Sequence, residues 1–168
     1  KNFGKEFNRT ERNRIRYFLA DQVVMDPLYK VRDSVGKDYN WNELNHFIKD
    51  LQKDDPDLMQ LESYRRFLLM SYYFSRNKNI REQVDEVLIR FKSPGIKDFL
   101  LSSMITTYIY QQGTDESDYL LMLCEQEVRD EKSRQQVEEA VERWRRLAAG
   151  STGPETEMED TQGNSVKR

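Results

Sequence analysis

The stretch "PGIKDFLLSSMITTYIYQQG", residues 94–113, sets the tightest limit on what this chain can fold into. On a 3.6-residue period, Ile96, Phe99, Leu100, Met104 and Tyr108 are joined by Leu101, Ile105 and Ile109, an apolar face much wider than a single stripe. Such a helix has to be covered on several sides. It belongs near the centre of a bundle, and the rest of the chain must supply the helices around it.

Helix start signals recur along the chain. Asn40 stands three residues before Glu43, a capping-box pattern opening "WNELNHFIKDLQ", and Asn79 with Glu82 repeats it before "IREQVDEVLIRF". Asp55-Pro56 places a cap before a proline at the first helical position, where the missing N–H costs nothing, and predicts a helix over "DLMQLESYRRFLLMSYYF". Ser93-Pro94 gives the same start to the central helix, and Gly113 ends it. Two further helices read as "ESDYLLMLCEQEV" and "EKSRQQVEEAVERWRRLAA", the second closed by Gly150. In that last helix Val137, Ala140, Val141, Trp144, Leu147 and Ala148 form one apolar stripe, with Glu and Arg elsewhere. Upstream, "ERNRIRYFLADQVVMDPLYKVRDSV" begins as a helix, with Pro27 predicted to break or kink it. Connections are short, so successive helices should pair as antiparallel hairpins. The expectation is an all-α fold of about six to seven helices, followed by a short extended C-terminal segment.

Composition changes at Gly150. The residues after it carry no helical stripe, and Gly163-Asn164 suits a tight turn between short extended segments. The chain therefore reads as a helical domain over 1–149 and a linker with the truncated start of another domain over 150–168.

The balance of 27 basic and 30 acidic residues argues against a general nucleic-acid or anionic-membrane footprint. The basic run Lys1, Lys5, Arg9, Arg12, Arg14, Arg16 reads as a solvated helix face, since no aromatic platform is interleaved with it. No apolar run approaches the length of a membrane span. Because the chain begins at Lys1 rather than Met, any membrane attachment is expected through a removed N-terminal anchor.

The inventory for chemistry is thin. His46 is the single histidine, with no second ligand at metal spacing, and Cys124 is the single cysteine, on an apolar helix face where it reads as a buried thiol. One cysteine excludes a Cys-x-x-Cys pair within the chain. Glu139 with Arg143 and Glu142 with Arg146 are helix-surface pairs, whereas Glu138 and Glu142 are alike in charge. Tyr72-Tyr73-Phe74 and Tyr108-x-Tyr110 span more than one helix face, which suits core or inter-domain packing. No catalytic, cofactor-binding or metal residue is assigned, and no cofactor is expected.

The closing residues "RWRRLAAGSTGPETEMEDTQGNSV" resemble the domain junction of TlpA/ResA-like thioredoxin-family proteins of the Bacteroidetes type. Trp144, Arg145, Arg146, Leu147, Gly150, Pro154, Asp160, Gly163, Asn164 and Val166 carry the match. "PGIKDFLLSSMITTYIYQQGTDESDYLL" is similar to the helical segment that precedes the thioredoxin fold in such proteins, and "DPDLMQLESYRRFLL" weakly so. Gly153 and Thr156 depart from the pattern, which has Ala and an aromatic there. The resemblance implies a parent thiol–disulfide oxidoreductase of the periplasm or cell envelope, its Trp-Cys-x-x-Cys motif beyond Arg168, with Arg168 a boundary within it. It implies no catalytic role for Cys124. The thioredoxin-like domain of the same polypeptide is then the expected partner, with substrate proteins or a homodimer as further ones. The alternative expectation is a self-contained helical-repeat interaction scaffold with no redox role.

Overall fold

The computed structural model describes residues 4–32, 41–73, 78–115, 117–147, 157–159 and 165–167. These hold helices α1 (Lys5–Arg32), α2 (Trp41–Leu51), α3 (Glu62–Tyr73), α4 (Ile80–Arg90), α5 (Pro94–Gln112), α6 (Asp118–Glu127) and α7 (Glu131–Leu147). Strands β1 (Glu157–Glu159) and β2 (Ser165–Lys167) come after α7 and pair antiparallel, with Met158 opposite Val166. The fold is all-α, closed by one short extended hairpin.

The central place of α5 follows from its sequence. Ile96, Leu100, Leu101, Ile105 and Ile109 are fully buried, and α5 touches α3, α4, α6 and α7 as well as the turn before α3. Of its small polar residues, Thr107 donates to the Ser103 carbonyl at 2.8 Å and Ser102 to that of Phe99 at 3.3 Å, whereas the buried Thr106 hydroxyl has no hydrogen-bond partner.

Cross-links between helices fix their directions. Ser63 of α3 meets Arg14 of α1, Tyr17 packs edge-on against Tyr64 and at a tilt against Phe67, and Asp21 pairs with Arg66, so both numbers rise together and α1 and α3 run parallel. Asp54, ahead of α3, reaches Lys92 and Ser93 ahead of α5, while Tyr73 and Gln111 join the far ends of the same two helices. Asp98 in the first turns of α5 accepts from the Arg129 and Asp130 amides ahead of α7, and Trp144 lies against Gly113 at the other end. Thus α1, α3, α5 and α7 form one parallel layer, and the shorter α2, α4 and α6 return the chain between them. The structure is a stack of helical hairpins.

Several local expectations are modified. Pro27 neither breaks nor ends α1, which runs to Arg32. The helical bond it cannot make belongs to the carbonyl of Val23, a residue on the exposed side where water can replace the lost donor. Asp55-Pro56 starts not α3 but a 3₁₀ turn, Pro56–Gln60, with the Asp55 side chain accepting from the Asp57 amide at 3.1 Å. The tighter winding sets Leu58 and Leu61 one above the other, both buried, and Leu61 is extended before α3 begins. Ser93 makes no side-chain cap; the Asp54 carboxylate instead takes the amides of Lys92 and Ser93 just ahead of the helix. Leu147, expected on the buried stripe of α7, is 82% exposed, while Val137, Ala140 and Val141 are buried as the spacing predicts. The Asn79–Glu82 capping box forms in full, with bonds of 3.0 and 3.1 Å. The expected Asn40 cap, Phe74, Ala148, Gly150, the 149/150 boundary and the Gly163-Asn164 turn lie outside the described residues.

Candidate functional site

The titratable residues singled out above are scattered over the fold. His46 is exposed on α2, and among the described residues no group of three His, Cys, Asp or Glu side chains could hold a metal ion. Cys124 is buried where α6 meets α7, and burial pushes its thiol up to about 11. Glu139 pairs with Arg143 at 3.5 Å and Glu142 with Arg146 at 3.3 Å, exposed helix-surface pairs. No described helix is long and apolar enough to cross a membrane.

Two surface features do bring residues together. The first lies at the C-terminal edge of the parallel layer, where α3, α4 and α5 enclose a groove of about 360 Å³. Its walls include Met70, Tyr73, Ile80, Met104 and Tyr108, and the Gln111 amide donates to the Tyr73 hydroxyl across it. The tyrosine clusters of the sequence thus divide: Tyr72 is buried, Tyr73 and Tyr108 line the groove, and Tyr110 is exposed beside it. At the same edge α7 ends with Trp144 against Gly113 and Leu147 in solvent. Apolar side chains therefore collect beside the end of α7.

The second feature is a groove of about 520 Å³ between α1 and α3, lined by Ile15, Phe18 and Leu61 with Asp21 and Arg66. Asp21 is buried; its Oδ2 pairs with Arg66 at 3.0 Å, and its Oδ1 has no hydrogen-bond partner. Desolvation outweighs the Arg66 guanidinium and holds this carboxyl above its ordinary range. The pairing of Asp21 with Arg66 could not be read from the sequence, where both look like ordinary charged helix positions.

Compared with protein-family models, curated proteins and solved structures, the chain matches none.

Proposed function

We propose that this chain is the helical accessory domain of an envelope thiol–disulfide oxidoreductase, and that it positions a thioredoxin-like domain of the same polypeptide. The observation that carries this reading is the C-terminal edge of the layer. A Met- and Tyr-lined groove, exposed Tyr110 and Leu147, and the end of α7 all lie there, and a β-hairpin comes next in the chain. An apolar patch beside the exit of the chain suits docking of the next domain. The groove is lined by methionines, whose unbranched side chains adapt to an opposing surface.

With one cysteine the chain has no dithiol of its own, so it contributes position and contact rather than redox chemistry. Residues 1–168 should fail to catalyse dithiol-dependent insulin reduction. The coding region beyond residue 168 should carry a Cys-x-x-Cys within about one thioredoxin-domain length. The domain encoded there, expressed separately, should bind 1–168 and lose binding on Tyr73→Ala and Tyr110→Ala. Absence of that motif sinks the reading.

One observation favours the alternative of a helical-repeat scaffold. Arg9 reaches Asp55, Asp54 reaches Lys92 and Ser93, and Asp98 reaches Arg129 and Asp130, so α1, the segment ahead of α3, and α5 are each tied to the segment preceding the next long helix. Repeated ties of this kind are what a stack needs for its own integrity, and they require no redox domain.

A further inference from the structure

The two ends of the helical layer are unlike. At one end α7 turns Val137, Ala140 and Val141 inward and covers its outer face with Glu138, Glu139, Glu142, Arg143, Arg145 and Arg146, the polar cap that closes a stack. At the other end α1 buries Tyr17, Ala20 and Val24 toward α3, yet its opposite side carries Ile15, Phe18, Leu19 and Val23 at 56%, 57%, 56% and 39% exposure. These four fall at i, i+3, i+4 and i+8, one continuous stripe on a helix that should need only the buried one. Beside the stripe runs the groove whose walls are Ile15, Phe18 and Leu61.

We propose that this face is a self-association surface, on which two copies of the chain pair α1 against α1, antiparallel, about a two-fold axis at Leu19. Charge selects a second copy as the occupant. In this register Ile15 lies opposite Val23 of the partner subunit and Arg12 opposite Asp26 of the partner subunit, each twice over by symmetry. The α1–α3 groove receives the partner's apolar side chains beside the axis. Stacking α1 on the far end of another copy would instead set the stripe against the charged face of α7. Only one end is apolar, so the assembly closes at two. The seam from residue 12 to 26 is about 21 Å of helix, a contact at the small end of specific interfaces, for which a dissociation constant in the micromolar range is expected. The pairing rests on α1 alone and is independent of any redox role.

Sedimentation velocity on the 168-residue chain from about 1 to 500 μM, bracketing that range, should show a monomer–dimer equilibrium with nothing larger. Phe18→Lys and Leu19→Lys should each weaken it at least about a hundredfold with helical circular dichroism unchanged, since both side chains are exposed. Arg12→Asp and Asp26→Arg should each weaken it about tenfold, and the double reversal should restore it. The surface assignment is overturned by a monomer throughout, as when another segment of the polypeptide covers the stripe. Dimers indifferent to Phe18→Lys and Leu19→Lys, oligomers beyond two, or a double reversal without rescue overturn it equally.

Discussion

At Gly113 the backbone takes φ +87°, and a Cβ built there would stand 2.8 Å from three atoms of the Trp144 ring. The position excludes a side chain twice, by conformation and by space. Gly113→Ala should therefore lower the unfolding free energy by about 2–3 kcal/mol in urea titration, more than the conformational term alone. Asp21 works in the opposite sense. Its carboxyl is held above the ordinary range, so the native state keeps its proton more tightly than the unfolded chain does. The site's contribution is greatest in acid and is lost as pH rises through the raised value. Asp21→Asn keeps an acceptor for Arg66 and removes the buried charge; unfolding free energies measured from pH 4 to pH 7 should then fall less steeply with pH than in the parent chain. At pH 7 the variant should be at least as stable as the parent chain. Cys124, with its thiol near 11 and its side chain buried, should react with iodoacetamide at pH 7.5 at least about a hundredfold more slowly when folded than in urea.

Among the elements, the capping devices differ in what their loss exposes. Asn79 satisfies one helix-end amide in solvent, and Asn79→Ala should cost about 1 kcal/mol. Asp98 is buried and serves two amides in the α6–α7 connection, so Asp98→Ala should cost about 2 kcal/mol or more by leaving both without a partner. Thermal melts of the two variants would rank them. The first device was legible in the sequence, because a capping box is local and its spacing is fixed by helix geometry. The second was not, because Asp98 lies 31 residues from Arg129 and nothing in its neighbourhood announces the contact. The same division holds elsewhere. The wide apolar face of α5 predicted its central position, as it is a property of one segment. The 3₁₀ turn before α3, the continuation of α1 through Pro27 and the exposure of Leu147 depend on what lies alongside, and the local signals pointed the other way. The edge groove was half legible: the tyrosine clusters stood out as spanning more than one helix face, but only the parallel layer brings Tyr73 and Tyr108 together.

For the whole molecule, stability should be graded across the stack rather than uniform. The helix α5 is covered on every side and α1 on one, so native-state hydrogen exchange should be slowest in Leu100–Ile109 and fastest, among the helices, toward the ends of α1. Comparable protection along both would contradict the layered arrangement. The parallel direction of α1, α3, α5 and α7 has an electrical consequence as well. Helices of 28, 12, 19 and 17 residues point one way, and α2, α4 and α6, of 11, 11 and 10 residues, point back. Their peptide dipoles do not cancel. The edge of the helix starts gains positive character, and Asp54, Asp55, Asp98 and Asp130 stand along it, while the edge that holds the Tyr73–Gln111 groove gains negative character. A domain settling on that groove would meet a weakly negative field, and a basic rim on its approaching face would orient it before any side chain touched.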